Sequence, residues 1–169
     1  MATAAAKLTV AEFESQYGQE KPYYEYWHGE AVQKSVPTIL HALIQRVLLI
    51  LLTEAGYEAF PEAKLKIDPD FQPIPDVIAT RDRLATRFPT KPLEIVIEIL
   101  SDEDPMARLL KKCGVYQEWG FEQIYIVDPV NRHILRWRGE RLERAHTLAG
   151  IALEAIWSSV DRSQGGLPQ

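Results

Sequence analysis

Residues 93–116 decide the fold of this chain and read LEIVIEILSDEDPMARLLKKCGVY in one-letter code. The first eight, residues 93–100, are mostly β-branched or apolar on both faces, which indicates a strand buried inside a sheet. Glu98 lies near the end of that strand, although a buried ionised carboxylate is costly unless it is paired or binds a metal. Asp104 and Pro105 then fit the N-cap and the first position of a helix. The stretch therefore predicts a strand, an acidic loop and a helix, with Glu98 as its unusual residue.

Length and composition place the chain among single-domain globular proteins. It has 169 residues, of which 46% are hydrophobic and 25% charged, enough for one core. We expect one domain over residues 1–161 and a flexible C-terminal tail over residues 162–169. The net charge of −5 argues against a whole-surface nucleic-acid binder but leaves room for a local basic patch. Cys113 is the single cysteine, which excludes an internal disulfide and a cysteine-based zinc site.

The hydrophobic runs predict neither a signal peptide nor a membrane span. The first seven residues lack the long apolar segment of a secretory signal. Residues 47–52 are strongly apolar, but Gln45, Arg46 and Glu54 bracket them too closely for a membrane helix. We therefore expect a cytoplasmic protein that does not associate with a membrane.

The pattern of apolar and turn residues predicts further elements on both sides of residues 93–116. Upstream these are a capped helix at 10–17, a hairpin at 23–35, a helix at 39–55, and strands at 57–67 and 74–80. Downstream they are a strand at 123–127, a hairpin formed by 133–137 and 141–145, and a segment at 151–160 that fits either strand or helix. This order predicts an α/β or α+β domain, with a mixed central sheet flanked by helices and additional β-hairpins.

The helix at 39–55 is apolar on two faces, and one sheet can cover only one of them. Leu49, Ile50 and Leu52 belong to the second face. Because a large exposed apolar patch is unusual on a monomer, we expect a homodimer that buries part of these three side chains.

Asp76 and Glu98 each interrupt an otherwise apolar strand. If the two strands are neighbours, the carboxylates converge at one edge of the sheet, where they suit Mg²⁺. Such an ion polarises a phosphoryl oxygen and lowers the pKa of an attacking water. Two plainer interpretations stay open: Asp76 begins its strand in a turn, and Glu98 forms a salt bridge with an arginine.

Two lysines follow on the predicted helix, and helical geometry separates them. Lys112 is three residues after Leu109 and four before Tyr116, which puts it at the border of the core face. From there its stem can lie on apolar surface while its ammonium reaches the sheet edge. Lys111 projects away from that face. Lys112 is therefore the better catalytic candidate, positioned to orient a water or stabilise developing negative charge.

Several motifs together resemble one known family. They are Pro75-Asp76, a strand ending in EILS at 98–101, EWGFEQIYIVDP at 118–129 and YWHGE at 26–30. In this order they resemble the bacterial Uma family, a family of unknown function in the PD-(D/E)xK nuclease superfamily. The similarity covers residues 8–157. It implies a restriction-endonuclease-like fold and a metal-dependent endonuclease that cleaves nucleic acid, with DNA as the expected substrate.

The resemblance also implies a set of site residues. Asp76 and Glu98 correspond to metal ligands, and the backbone carbonyl of Ile99 corresponds to a third, for Mg²⁺ or Mn²⁺ as the cofactor. Asp76, Glu98 and Lys112 would form the catalytic group. The superfamily lysine two residues after the acid is replaced by Leu100, and Lys112 corresponds to a lysine displaced onto the following helix.

Other features leave two interpretations open. His41, at the start of a helix, and Glu30, in a hairpin, are either auxiliary site residues or structural residues. Arg108 stands where an acidic residue is expected, which favours a competing hypothesis: a non-catalytic nuclease-fold module acting in assembly or regulation. Five arginines on the second hairpin fit either phosphate binding or a solvated face. They are Arg132, Arg136, Arg138, Arg141 and Arg144.

Overall fold

A computed structural model describes residues 6–165 of the chain. Its helices are α1 (Val10–Tyr17), α2 (Ile39–Glu54), α3 (Met106–Trp119) and α4 (Leu153–Gly165). Its strands are β1 (Tyr24–Trp27), β2 (Glu30–Gln33), β3 (Glu58–Pro61), β4 (Phe71–Gln72), β5 (Val77–Thr80), β6 (Ile95–Ile99), β7 (Gln123–Asp128), β8 (His133–Arg138), β9 (Arg141–Ala145), β10 (Thr147–Leu148) and β11 (Ile151–Ala152).

The central sheet has six strands in the order β3-β5-β6-β7-β8-β9. Strands β6 and β7 are parallel and are joined by α3, whereas the other neighbouring pairs are antiparallel. Every residue of β6 is buried, because helices cover both faces of the sheet at its centre. The predicted mixed sheet flanked by helices is confirmed.

Two hydrophobic cores lie on opposite faces of this sheet, and the alternation of side chains along β6 divides them. Ile97 belongs to the core shared with α2 and α4, whereas Val96 belongs to the core shared with α3. Glu98 is two residues after Val96 and therefore lies on the same face of the sheet, the face covered by α3. The alternation of side chains thus places Glu98, the one carboxylate in β6, against the helix that carries both candidate lysines.

The N-terminal hairpin forms as predicted. Strand β1 lies between β2 and β4 in a separate three-stranded sheet. His28 and Gly29 form its turn with φ values of 50° and 90°, a left-handed conformation that suits a tight turn. The capping box that begins α1 is also present, with Thr9 and Glu12 bonded reciprocally.

Asp104 does not cap α3, which corrects the prediction. The N-cap is Pro105, and no side chain caps the helix. Asp104 instead accepts hydrogen bonds from the hydroxyls of Ser35, at 2.8 Å, and Ser101, at 3.3 Å. Because Ser35 follows β2, Asp104 ties the start of α3 to the N-terminal hairpin. This long-range contact replaces the local cap.

Two predicted boundaries also change. The strand predicted at 57–67 ends at Pro61, where Glu62 takes a left-handed φ of 46° and turns the chain out of the sheet. The ambiguous segment 151–160 begins as β11 and continues as α4. Helix α4 extends to Gly165, into the segment expected to be a flexible tail. Residues 166–169 of that tail lie outside the described part of the chain.

The second apolar face of α2 is covered within the same chain, because α4 packs beside it. Leu52 is fully buried, so the expectation that a second copy buries Leu52 is wrong. Leu49 is half-buried, and Ile50 remains 50% exposed. The homodimer therefore stays a prediction, although α4 covers most of the apolar face that suggested it. Among residues 6–165, no helix combines the length and the apolar character that crossing a membrane requires.

Candidate active site

Asp76 and Glu98 come together at one edge of the central sheet. Strands β5 and β6 pair Val77 with Ile97, and the same register continued by one residue sets Asp76 opposite Glu98. Side chains directly opposite in an antiparallel pair lie on the same face. Both carboxylates are buried, with 4% and 2% of their surface exposed, and both line the same cavity. The structure thus brings the two predicted acids to one place.

Asp76 is held by three donors. Lys34 Nζ lies 3.0 Å from Oδ1, and His41 Nε2 lies 3.4 Å from the same oxygen. The backbone N–H of Ile99 donates to Oδ2 at 2.7 Å. Burial alone would raise the pKa of Asp76, but the charge of Lys34 and the hydrogen bonds from His41 and Ile99 hold it well below its usual range. Asp76 is therefore ionised at neutral pH.

Glu98 has the opposite electrostatic setting. Its Oε1 accepts a hydrogen bond from the Tyr116 hydroxyl at 2.6 Å and lies 2.6 Å from Lys112 Nζ. Burial raises the pKa of Glu98, Lys112 lowers it and the negative charge of Asp76 raises it further, with a net pKa of about 7. Of the two predicted acids, Glu98 is the one that exchanges a proton near neutral pH.

Lys112 bridges two buried carboxylates. Its ammonium lies 2.7 Å from Glu25 Oε1 and 2.6 Å from Glu98 Oε1, and only 3% of the residue is exposed. Burial alone would lower the pKa of Lys112, but these two carboxylates raise it above its usual value. Lys112 is therefore a fixed ammonium, deeper than the border position that the helical pattern predicted. Lys111 is exposed, as predicted, with its Nζ 5.0 Å from the centre of the Trp27 ring.

Sequence reasoning missed Glu25 and Lys34. Glu25 accepts hydrogen bonds from the Ile74 N–H at 2.7 Å and the Trp27 indole at 3.0 Å, besides contacting Lys112. A signal was present, since Glu25 stands alone among the aromatic residues of YYEYW at 23–27. Lys34 gives no such signal. It follows β2, and only the docking of the hairpin onto the sheet brings it to Asp76.

Comparison with known proteins identifies the family. A family model for Uma2, described as "Putative restriction endonuclease", matches residues 10–160. The chain belongs to the Uma2 family. This confirms the resemblance drawn from the motifs, and the family supports a nuclease role. No curated protein matches the chain.

One solved structure similar to this Uma2 member is a putative nuclease belonging to DUF820 from Anabaena variabilis ATCC 29413. Its TM-score is 0.79 at 18% sequence identity, and the alignment covers 90% of this chain and 99% of that one. At this identity the similarity establishes the fold, which is nuclease-like as the resemblance implied.

The remaining predicted site residues differ in their positions. His41 lines the cavity and is 9% exposed, and its buried Nδ1 has no hydrogen-bond partner within residues 6–165. Glu30 lies at the exposed start of β2, outside the cavity. Ile99 touches Asp76 through its N–H. Its carbonyl as a metal ligand stays a prediction, as does the auxiliary role of His41 and of Glu30.

The cavity of this Uma2 domain is small. Its volume is about 30 Å³, room for roughly two water molecules or one small ion. Asp104 and Arg108, 3.6 Å apart, also line it. Arg108, found where an acidic residue was expected, is thus part of this cavity wall and paired with an acid.

The carboxylates around the cavity have the chemistry that suits a small divalent cation, but two lysines already contact them. Three buried carboxylates (Glu25, Asp76 and Glu98) face two ammonium groups, Lys34 and Lys112, which leaves one negative charge in excess. A proton on Glu98 or a cation would balance it. Within residues 6–165, no three acidic, histidine or cysteine side chains are grouped as a ready metal cluster. An ion would therefore have to share Asp76 Oδ1 with Lys34 or displace it.

Proposed function

We propose that this chain is a Mg²⁺-dependent endonuclease that hydrolyses phosphodiester bonds of nucleic acid, with DNA as the expected substrate, in the cytoplasm. One observation carries the proposal: three buried carboxylates, which carry one negative charge in excess of Lys34 and Lys112 when Glu98 is ionised, line a cavity in a Uma2 domain. A protein that buries uncompensated charge does so at a cost in stability, which suggests a functional reason for the arrangement.

Asp76 and Glu98 would hold the ion, with the Ile99 carbonyl as a third ligand, and Mn²⁺ could replace Mg²⁺. The chemistry supplied by a bound ion would be polarisation of the phosphoryl oxygen and a lower pKa of the attacking water. The backbone N–H of Ile99, which donates to Asp76 Oδ2, fixes the orientation of that carboxylate. The other oxygen, Oδ1, contacts Lys34.

Lys112 acts as a charge and a hydrogen-bond donor. It stays protonated, because its pKa is raised, and so it cannot accept a proton from water. Its contact with Glu25 keeps the ammonium beside Glu98. From that position it orients the attacking water or stabilises the negative charge that develops on the phosphate.

A specific observation also favours the competing function, a non-catalytic module that keeps the nuclease fold. Lys34 and Lys112 already contact Asp76 and Glu98, so most of the buried charge is balanced without an ion. Leu100 and Arg108 also depart from the residues expected for the superfamily. On this hypothesis, the charged cluster stabilises the position of the hairpin against α3.

Cleavage assays separate the two functions. Supercoiled plasmid and single-stranded oligonucleotides are incubated with Mg²⁺ or Mn²⁺ and the wild type, Asp76→Asn or Asp82→Asn. Asp82 is exposed and lies six residues further along the chain, so its variant controls for the loss of one acid. We expect Asp76→Asn to abolish cleavage and Asp82→Asn to retain it, with circular dichroism verifying that both variants are folded. Absence of cleavage by the wild type with either metal would favour the non-catalytic module.

A further inference from the structure

A groove leads away from the active-site cavity. A second cavity of about 330 Å³ shares Lys34, Val36 and Glu62 with the active-site cavity. A third, of about 400 Å³, shares Tyr23 and Glu62 with the second. Together the second and third cavities form a continuous surface depression, here named the aromatic groove, that begins at the active site and passes Tyr23.

The groove is cationic, although the chain as a whole has a net charge of −5. Besides Lys34, which pairs with Asp76, four basic and two acidic side chains line it: Lys21, Lys64, Lys66 and Arg87, with Glu14 and Glu62. Glu14 pairs with Lys64 at 2.9 Å and lies 3.9 Å from Lys66. Within residues 6–165, neither Lys21 nor Arg87 forms an ion pair. A local positive surface on an acidic protein is the electrostatic pattern that attracts a polyanion.

Four aromatic rings line the groove together with these cations. Tyr17, Tyr23, Tyr24 and Phe88 line it, and all four are half-buried. Their basic neighbours lie against the rings. Lys21 Nζ is 5.3 Å from the centre of the Tyr23 ring, and Lys66 Nζ is 4.5 Å from that of Phe88. Rings that stack bases, next to cations that bind phosphates, are the combination found in proteins that bind single strands.

From these observations we infer that the aromatic groove binds an unpaired strand of nucleic acid and leads it to the active site. The inference rests on the proposed function, because it names the form of substrate that the cavity would cleave. Unpaired bases present free faces to Tyr23 and Phe88, whereas the bases of a blunt duplex are stacked on one another. A substrate with a single-stranded segment therefore fits the groove better than a continuous duplex.

Binding is measured by fluorescence anisotropy in EDTA, so that no cleavage can occur. The probes are labelled 12-nucleotide oligo(dT), oligo(U) of the same length, and a blunt 12-base-pair DNA duplex. We expect one of the two single strands to bind at least about tenfold more tightly than the duplex, a difference that stacking of one or two bases supplies. The tighter of the two strands identifies the preferred sugar. Equal or tighter binding of the duplex would overturn the inference.

Variants test which part of the surface is responsible. Tyr23→Ala should weaken single-strand binding about tenfold, and Phe88→Ala, on a separate loop, provides a second stacking test if Tyr23→Ala does not fold. Arg87→Ala should reduce the slope of log K against log salt by about 0.7, the value for one phosphate contact with a single strand. Arg83→Ala is the matched control. Arg83 is exposed in the same loop but lines a different cavity. Equal effects of Arg83→Ala and Arg87→Ala would overturn the inference.

The assay distinguishes failure of this inference from failure of the proposed nuclease function. Groove-dependent binding in EDTA by a protein that cleaves nothing would support the groove and reject the nuclease. Cleavage of blunt duplexes by a protein with no groove-dependent binding of single strands would reject the groove alone.

Discussion

Lys112 stabilises two of the buried carboxylates, because its ammonium contacts both Glu25 and Glu98. Replacing it with methionine keeps most of the side-chain volume and leaves two carboxylates buried without a cation. We expect Lys112→Met to lower the free energy of unfolding by about 3–5 kcal/mol at pH 8, the range for breaking a buried ion pair. Urea unfolding followed by circular dichroism measures this loss.

The adjacent lysine provides the control for this prediction. Lys111 is exposed, and its one notable contact is with the Trp27 ring. Lys111→Met should therefore change the free energy of unfolding by less than about 1 kcal/mol. Equal losses in the two variants would show that the assignment of Lys112 to the buried face of α3 is incorrect.

The raised pKa of Glu98 makes a prediction about stability and pH. Between its ordinary value of 4.5 and about 7, the folded state holds a proton that the unfolded chain has lost. The free energy of unfolding therefore falls as pH rises through this window. Above about pH 7, ionised Glu98 destabilises the folded state to its full extent. Glu98→Gln removes the titration and keeps an acceptor for Tyr116. We compare the free energy of unfolding of this variant with that of wild type at two pH values. We expect the difference to favour the variant by on the order of 2 kcal/mol more at pH 8 than at pH 5.5.

Glu94→Gln serves as the control for that measurement. Glu94 lies just before β6, half-buried, and pairs with Arg81 at 3.2 Å. Its substitution should shift stability by a similar small amount at both pH values. If the difference between Glu98→Gln and wild type is constant from pH 5.5 to pH 8, Glu98 does not titrate in this range.

The N-terminal hairpin is the element that completes the site, since β1 carries Glu25 and Lys34 follows β2. Gly29 in its turn has a φ of 90°, and a Cβ added there would lie 2.7 Å from the Cβ of Lys7. We expect Gly29→Ala to lower the free energy of unfolding by about 2 kcal/mol or more, because backbone strain and a steric clash act together. Urea unfolding of the purified variant measures this loss.

Gly139→Ala separates the two causes. Gly139 lies in the turn of the second hairpin with a φ of 70°, and a Cβ there would meet no atom within 4 Å. This control should lose only the strain of a left-handed residue, about 1 kcal/mol. A loss in Gly139→Ala as large as that in Gly29→Ala would mean that contact with Lys7 contributes nothing.

The elements that sequence analysis predicted well are those whose signals are local. Helix α2 has the apolar spacing of a helix, β6 is a continuous apolar run, and each hairpin has a glycine in its turn. The errors arise where distant residues compete with local preferences. Asp104 has the sequence of an N-cap, yet its carboxylate bonds to Ser35, 69 residues away. The residues near Asp104 in the sequence give no sign of a partner so far away along the chain.

The candidate site was predictable to the same extent. Asp76, Glu98 and Lys112 stand out as charged residues in apolar surroundings, and the structure brings all three to one cavity. Lys34 could not be identified, because it is polar in a polar segment and reaches Asp76 only after the hairpin docks. The second face of α2 is a similar case: the pattern of residues 151–160 fits strand or helix, so the sequence does not reveal that α4 covers this face.

For the whole molecule, the central question is whether the excess negative charge of the buried cluster is balanced by an ion. An ion that binds only the folded state stabilises it by mass action, about 2.7 kcal/mol at a hundredfold excess over its dissociation constant. For a domain of this size we expect Mn²⁺ to raise the melting temperature at pH 8 by roughly 5–10 °C. At pH 5.5 the rise should be much smaller, because a proton on Glu98 then competes with the ion.

The melting temperatures of variants, measured by differential scanning fluorimetry, show whether an ion or the two lysines balance the charge of the cluster. Asp76→Asn should lose the Mn²⁺-dependent rise, whereas Asp82→Asn should keep it. Lys34 Nζ lies on Asp76 Oδ1 and competes with an ion for that oxygen, so Lys34→Met should melt lower without metal and respond to lower Mn²⁺ concentrations than wild type. If Lys34 and Lys112 permanently balance the cluster, Mn²⁺ will leave the melting temperature of wild type unchanged at both pH values. That result would reject the metal site and support a structural role for these charges.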